Sequence, residues 1–159
     1  MSVATLTKTL VVNPAFLQEI KDSNPDFWNL VDQLQEVSQF VDEPSQVLRQ
    51  LTRLLDDLRD QLALQFSLEE SYGYIEVPEQ VVGQRSRVTT ELANQTQSQH
   101  SVLYLQLSDL AEQAEELQYR GVEPQRLREL VANSCQFHSD LQSHERMENE
   151  LIRRSYDVG

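Results

Sequence analysis

Hydrophobic residues recur along most of the chain at alternating steps of three and four, the spacing that puts side chains on one face of an α-helix. The clearest run contains five leucines: Leu48, Leu51, Leu55, Leu58 and Leu62. The next two positions on this face are polar, Gln65 and Glu69. A buried carboxylate is costly unless it is paired, protonated or bound to a metal ion, so the position of Glu69 predicts a partner for it.

The same spacing predicts four long amphipathic helices. The first begins at Asn24, which with Pro25 makes a typical N-cap and first-turn pair. It continues to residue 41, and the others span roughly 45–72, 86–118 and 125–155. The residues in register on the inward faces of the first, third and fourth helices are Phe27, Leu30, Leu34, Val37 and Val41; Leu103, Leu107, Leu110, Ala114 and Leu117; and Leu127, Leu130, Ser134, Phe137, Leu141 and Leu151.

Four such helices with mostly short connections favour an all-α fold, an antiparallel up-down four-helix bundle. The four glycines and five prolines leave few breaks, and no run of alternating β-branched residues predicts a strand. The length of 159 residues suits one domain. We place the bundle at 24–159, after an N-terminal arm at 1–23.

Charge and cysteine content limit the partners and the cellular compartment that we expect for the protein. The formal net charge of -13 and the pI near 4.5 argue against nucleic acid and anionic membranes as partners. The single cysteine, Cys135, leaves no disulfide within the chain and suits a reducing compartment. The N-terminal apolar patch is too short to cross a membrane and lacks the layout of a secretory signal, so we expect a cytoplasmic protein.

Three more ionisable residues fall on the inward faces. His100 lies one turn before the leucines of the third helix, and His144 and Glu148 lie between the last two apolar residues of the fourth. Each histidine is about 18 residues from the turn between these helices, which at ~1.5 Å per residue puts both roughly 27 Å from it. We therefore expect the two imidazoles to face each other. The spacing gives no such height for Glu69, whose convergence with them is assumed.

Two imidazoles and two carboxylates that converge inside a bundle are typical ligands for iron, manganese or zinc. The alternative is a hydrogen-bonded core, because a single inward histidine is more often a core residue than a ligand and buried carboxylates can pair with arginine. His138 is off the inward face and is predicted at the surface. Four inward residues from three helices favour a metal site formed by Glu69, His100, His144 and Glu148.

Three motifs occur in order: QFSLEE at 65–70 followed by YGY at 72–74, His100 followed by leucines, and HERMENEL at 144–151. They resemble the motifs of the hemerythrin-like (HHE cation-binding) domains, which are four-helix bundles that hold a non-haem di-iron centre. That family carries H-F-x-x-E-E in its second helix, often with GGY after it, and H-E-x-x-E-N-x-L in its fourth. The tail SYDVG resembles the family's ending, and the resemblance covers about 24–159.

The resemblance implies a ligand set that this chain holds only in part. In the family, the first helix gives one His, the second a His and a Glu, the third a His, and the fourth a His and a Glu, with the two carboxylates bridging the metals. Here the first-helix position falls on or near Phe27, and the second-helix His is Gln65. One metal position has therefore lost its imidazoles. The ligands that the resemblance assigns to the retained position are Glu69, His100, His144 and Glu148.

Two classes of function follow. In the first, the domain binds one metal ion, non-haem iron or alternatively zinc or manganese, whose open positions take dioxygen or another small ligand for sensing or storage. In the second, the bundle is metal-free and acts as a scaffold or protein-interaction module. An enzyme is the weaker interpretation, because the chain shows no activated nucleophile and Cys135 has no histidine beside it on its own face. Two tightly bound irons would instead indicate Asp26 or Asp32 as the first-helix ligand.

Overall fold

The computed structural model describes residues 8–40, 42–78 and 87–158, and most of these residues are helical. The elements in chain order are strand β1 (Lys8–Val12), helices α1 (Pro14–Asp22) and α2 (Pro25–Gln35), a 3-10 turn (Val37–Gln39), helix α3 (Pro44–Leu68), a π-helical turn (Glu69–Gly73), strand β2 (Tyr74–Pro78), and helices α4 (Arg87–Arg120) and α5 (Pro124–Val158). None of the helices in the described ranges combines the length and hydropathy needed to span a lipid bilayer.

Local sequence signals start and stop these helices. The side chains of Asn13 and Asn24 cap α1 and α2 by accepting hydrogen bonds from the N–H groups of Phe16 (3.1 Å) and Phe27 (3.3 Å), and a proline follows each cap. Helices α3 and α5 also begin at a proline. Gly121 ends α4 with a φ of 103°, a left-handed conformation that favours glycine, and so turns the chain into α5.

The four predicted helices are confirmed, with changes at their ends. Helix α2 stops at Gln35 and gives way to the 3-10 turn, so the first predicted helix is shorter than expected. Helix α3 changes to a π-helical turn at Glu69, where the prediction continued an α-helix to residue 72. The predicted end at Val41 and the predicted start at Ser86 lie outside the described residues.

The predicted inward faces are buried in the structure. The five leucines of α3 are at most 1% exposed, and the inward residues of the other helices that the structure describes are buried as well, apart from the half-buried Leu30. Val41 lies outside the described residues. Most of them form the larger of two apolar clusters. Helix α3 contacts α2 and α4, and α5 contacts α2 and α4, so these four helices enclose this cluster.

The sequence predicts no strands, and this prediction is wrong for two short segments. Strands β1 and β2 pair antiparallel, with Val12 opposite Tyr74. Leu10 and Val12 join Leu17 and Leu151 in the smaller apolar cluster, so part of the predicted N-terminal arm packs against the helices. The strands KTLVV and YIEVP each contain consecutive apolar residues and do not alternate strictly between apolar and polar residues, which explains why the sequence does not indicate them.

The buried face of α4 can be tested by a truncation. Leu107 is 0% exposed and Leu105, on the same helix, is 66% exposed. We expect Leu107→Ala to lower the free energy of unfolding by about 2–5 kcal/mol, because it leaves a cavity in the core. Urea denaturation followed by circular dichroism measures this change. Leu105→Ala is the control and should stay within about 0.5 kcal/mol of wild type; similar small losses at both positions would contradict the assigned face.

Candidate metal centre

Glu69, His100, His144 and Glu148 lie together in the interior, and one potential ligand atom of each is within 4.8 Å of the others. Glu69 comes from the π-helical turn, His100 from α4, and His144 and Glu148 from α5. The four residues are at most 3% exposed. Their predicted inward direction is therefore confirmed, while metal binding by them stays a prediction.

Apolar side chains flank this cluster along the helices. In α4, Ala93 belongs to the smaller apolar cluster and Leu103 to the larger one, and His100 lies between them. In α5, Leu141 belongs to the larger apolar cluster and Leu151 to the smaller one, and His144 and Glu148 lie between them. The cluster is thus a polar layer between two apolar layers, where electrostatic interactions are strong because water is largely excluded.

The ring of Phe66 orients both imidazoles. It stacks on His100 with ring centroids 3.9 Å apart and planes at 12°, and it meets His144 edge-on at 5.5 Å. The two imidazole centroids are 5.0 Å apart, as expected for histidines placed equally far from the turn that joins α4 and α5. The prediction that they face each other is confirmed.

The hydrogen bond of His144 leaves a ring nitrogen free for a metal ion. Its Nδ1 is 2.7 Å from the side-chain oxygen of Gln99, and since this oxygen can only accept, Nδ1 carries the hydrogen. The amide nitrogen of Gln99 donates to the sulfur of Met147, which fixes the amide orientation. Among the described residues, Nε2 of His144 has no hydrogen-bond partner, and it lies 3.5 Å from Glu148 Oε2. Such an outer hydrogen bond is typical of a histidine that ligates a metal through its other nitrogen.

Gln65, the position at which the resemblance expects a histidine, holds the carboxylate of Glu69 in place. The amide nitrogen of Gln65 donates to Glu69 Oε2 at 2.8 Å, and Asn24 donates to the oxygen of Gln65 at 3.3 Å. The other oxygen of Glu69, Oε1, has no hydrogen-bond partner among the described residues and lies 3.4 Å from Nε2 of His100. Gln65 therefore leaves one oxygen of this carboxylate directed at the imidazoles.

The carboxylate of Glu148 is shared between two sets of partners. Its Oε2 accepts a hydrogen bond from the hydroxyl of Tyr74 at 2.6 Å and lies 3.2 Å from Nε2 of His100. Its Oε1 lies 2.5 Å from the ammonium nitrogen of Lys21. The hydroxyl of Thr96 is 2.8 Å from the Tyr74 oxygen and can donate to it. Oε2 of Glu148 therefore faces a hydroxyl and an imidazole, whereas Oε1 faces an ammonium group.

Lys21 enters the site from α1, a part of the chain that was predicted to lie outside the bundle. It is 5% exposed, and its ammonium group pairs with Glu145 as well as with Glu148. The indole N–H of Trp28 donates to the backbone carbonyl of Lys21 at 2.6 Å, and the indole ring lies 5.9 Å from the ammonium group. The corner between α1 and α2 thus fixes the direction of this side chain.

Close contact between α1 and the π-helical turn brings Lys21 to this depth. The N–H of Asn13 donates to the carbonyl of Gly73 at 2.8 Å. A Cβ atom added to Gly73 would lie 2.9 Å from Cδ1 of Leu17, closer than carbon atoms normally approach. Glycine at 73 therefore permits α1 to pack against the turn, and Lys21 lies one helical turn after Leu17 on the same buried face.

The charges of the cluster shift the pKa values of its members. Burial alone would lower the pKa of His100, but hydrogen bonds and charges from Glu148 and Glu69 outweigh it and raise this pKa to about 9. Burial would raise the pKa of Glu148, but the two imidazoles and Lys21 outweigh it and hold the pKa well below its ordinary value. At neutral pH in the absence of a metal ion, Glu148 is therefore ionised and His100 is protonated.

The remaining groups carry protons more readily than usual. Burial and the charge of Glu148 raise the pKa of Glu69 and the pKa of the Tyr74 hydroxyl, which stays protonated and donates to Glu148. Burial raises the pKa of Glu145 to about 8 despite its contact with Lys21. Burial would lower the pKa of Lys21, but the carboxylates outweigh it and raise the pKa above its ordinary value. Lys21 is therefore positively charged.

The four predicted ligands fit a metal ion. Zinc and similar ions bind nitrogen and oxygen at about 2.0–2.2 Å, so ligand atoms on a common ion lie roughly 3–4.4 Å apart. The separations between His100 Nε2, His144 Nε2 and the oxygens that face them are 3.2–3.5 Å. Two buried ligand atoms, Glu69 Oε1 and His144 Nε2, also lack hydrogen-bond partners among the described residues. An ion would give both of them a partner.

Other residues considered at the sequence level lie elsewhere. Phe27, the other position at which the resemblance expects a histidine, is a core residue whose ring packs against Trp28 at 4.7 Å. Asp26 and Asp32 are exposed on α2, so neither reaches the buried cluster. The prediction that His138 lies at the surface is wrong, because it is only 6% exposed. Helix α2 packs on α5 and covers this flank, and burial lowers the pKa of His138 although Asp32 acts in the opposite direction.

Sequence reasoning missed four residues of the site: Lys21, Tyr74, Gln99 and Glu145. A weak signal exists for Lys21, which follows Leu17 by four residues in a short amphipathic helix. Glu145 adjoins a predicted ligand, yet its neighbours in sequence do not indicate that it faces Lys21. Tyr74 depends on the pairing of β1 with β2, and Gln99 on the register between α4 and α5. None of these contacts can be predicted from the spacing of residues within one helix.

A surface cavity of about 470 Å³ borders the site. It lies between α1 and the C-terminal part of α3, and apolar side chains form most of its lining. Gln65 belongs both to this lining and, through its bond to Glu69, to the cluster. The apolar residues that line the cavity are Phe16, Ile20, Leu64, Leu68 and Tyr72.

Comparison of the chain with protein-family models, curated proteins and solved structures finds no match.

The shifted pKa values predict how pH changes the stability of the metal-free protein. The pKa of His100 is about 9 in the folded state against 6.5 in the unfolded chain, so the folded state binds more protons between these values. Its contribution to stability is complete below pH 6.5 and is lost as pH rises through 9, by up to about 3 kcal/mol. Glu145, raised from 4.5 to about 8, acts in the same direction. Urea denaturation with chelator from pH 6.5 to 9 should show this decline.

An NMR titration of the imidazoles assigns the effect to a residue. The signal of His100 should titrate near pH 9, while that of His138, whose pKa burial lowers, should titrate below 6.5 and serves as the internal control. A free energy of unfolding that is constant or rises over this range, together with an ordinary pKa for His100, would contradict the charge distribution described above.

Proposed function

We propose that the protein is a hemerythrin-like four-helix bundle that binds a single non-haem iron ion through Glu69, His100, His144 and Glu148. The observation that carries this proposal is the convergence of two imidazoles and two carboxylates, all buried, with potential ligand atoms within 4.8 Å of one another. Mixed nitrogen and oxygen ligands suit iron, and also zinc or manganese. The enclosure of one apolar cluster by α2, α3, α4 and α5 supports the bundle.

The neighbouring residues would hold these ligands for a metal ion. Gln99 keeps the hydrogen of His144 on Nδ1, which leaves Nε2 available. Gln65 binds one oxygen of Glu69 and leaves the other available. Phe66 packs against both imidazoles and restricts their rotation. Rings and carboxylates that are held in this way lose little conformational freedom when they bind a metal ion, so these contacts favour affinity.

An iron ion held by these four ligands would keep coordination positions for a small ligand such as dioxygen, which suits sensing or storage. The cavity beside Gln65 supports this part of the proposal. Its lining is mainly apolar, which favours a small uncharged ligand over an ionic one. Gln65 is the residue shared by the cavity and the cluster, so a movement of its side chain would change access to Glu69.

A second candidate function is a metal-free bundle that acts as a scaffold or partner-binding module. The pairing of charges within the cluster favours it: Lys21 pairs with Glu145 and Glu148, and Gln65 donates to Glu69. Such a network can stabilise a core without a metal ion. The two candidates differ in what metal does to stability, because a ligand that binds only the folded state raises it.

Metal titration separates the two candidates. After removal of metal with a chelator, anaerobic titration with Fe2+ is expected to give one tightly bound ion per chain, and the melting temperature should rise with added iron. A free ion concentration 100 times the dissociation constant would add about 2.7 kcal/mol of stability. Calorimetry and metal analysis measure the stoichiometry. No bound ion in the wild type would favour the metal-free module, and two tightly bound irons would contradict a single site.

Histidine variants show which residues are responsible. His144→Ala should abolish binding and the stabilisation by iron, since Nε2 is lost from the site. His138→Ala is the matched control: this histidine is also buried in α5 but lies outside the cluster, so the variant should bind iron like the wild type. If His144→Ala lowers stability equally with and without iron, the imidazole belongs to a hydrogen-bonded core.

Gln99 should affect affinity without contacting the ion. Gln99→Leu removes the acceptor that holds the hydrogen of His144 on Nδ1, and we expect it to weaken iron binding about 10- to 100-fold, as loss of such outer partners does elsewhere. Gln95→Leu, at an exposed position on the same helix, is the control and should bind iron like the wild type. Equal affinities for both variants would show that this hydrogen bond does not prepare the ligand.

A further inference from the structure

The two oxygens of Glu148 face two different positions. Oε2 faces the imidazoles, at 3.2 Å from His100 Nε2 and 3.5 Å from His144 Nε2. Oε1 faces the opposite way, toward the ammonium nitrogen of Lys21 at 2.5 Å. If a metal ion lies among the imidazoles, as the proposed function requires, Glu148 connects that ion on one side to the ammonium group on the other.

Lys21 is placed where a cation is needed. The chain has two lysines, and Lys8 is exposed on β1 whereas Lys21 is 5% exposed in the site. A buried ammonium group is costly unless charged partners surround it. Lys21 has two carboxylate partners, Glu145 and Glu148, and Trp28 holds its backbone carbonyl.

Counting charges indicates how many metal ions the site can hold beside this lysine. With a metal ion bound, the ion and Lys21 favour the ionised form of the carboxylates, so that Glu69, Glu145 and Glu148 carry three negative charges and Lys21 carries one positive charge. One divalent ion with neutral imidazoles brings the sum to zero. A second divalent ion would leave two uncompensated positive charges in the interior, which is strongly unfavourable.

We propose that the ammonium group of Lys21 takes the place of a second metal ion, so that Glu148 bridges one metal ion and one lysine. Lys21 is thereby the residue that restricts the site to a single divalent ion. This inference rests on the proposed function for the first ion, but it concerns a different residue and a different position.

The test compares manganese binding by the wild type, Lys21→Ala and Lys8→Ala. Lys21→Ala removes the charge and leaves room for a hydrated ion beside Glu145 and Glu148. We expect one Mn2+ per chain for the wild type and for the Lys8→Ala control, and two for Lys21→Ala. Two ions that share a carboxylate lie about 3.5–4 Å apart, so electron paramagnetic resonance should show exchange coupling in Lys21→Ala and an isolated ion in the other two proteins.

The outcomes separate the inference from the proposed function. No Mn2+ in the wild type would remove the proposed metal site, and the inference with it. One uncoupled ion in both the wild type and Lys21→Ala would keep the metal site and overturn the role of Lys21. If Lys21→Ala does not fold with or without Mn2+, Lys21→Gln decides, because its amide can still hydrogen-bond to the carboxylates but carries no charge. A second, coupled ion in that variant supports the inference, and a single ion overturns it.

Discussion

The buried carboxylate of Glu148 is the group on which the arrangement of the site depends. It is 0% exposed, so its negative charge must be compensated within the protein. The compensation comes from three separate parts of the chain: Lys21 in α1, Tyr74 in β2 and His100 in α4. Residues of the N-terminal helix and of the small sheet therefore take part in the site. They supply the ammonium group of Lys21 and the hydroxyl of Tyr74, which add to the imidazole from α4.

The same side chains can bind either protons or a metal ion. Without metal, His100 holds a proton at neutral pH because its pKa is raised to about 9. A metal ion on Nε2 of His100 would displace its proton, so binding should release protons and strengthen as pH rises. The stability of the metal-free protein changes in the opposite direction with pH. This competition explains why one geometry is compatible both with a metal centre and with a hydrogen-bonded core.

The helices and the inward direction of the four predicted ligands could be predicted from sequence because both follow from the spacing of residues within one helix. His100 and His144 could even be matched in height, since a single tight turn joins their helices. The position of Lys21 could not be predicted, because it depends on the close contact of Leu17 with Gly73. Tyr74 depends on strand pairing, and the burial of His138 depends on how α2 packs on α5. Contacts between elements that are distant in sequence leave little periodic signal along the chain.

X-ray absorption at the iron edge of the protein loaded with Fe2+ tests the central claim most directly, because it reports on the atoms around the ion. A single iron held by Glu69, His100, His144 and Glu148 should give a shell of nitrogen and oxygen with the multiple scattering of two imidazoles and no iron–iron scattering. A spectrum without imidazole scattering would place the iron outside this cluster, and a clear iron–iron vector would contradict a site with one metal ion.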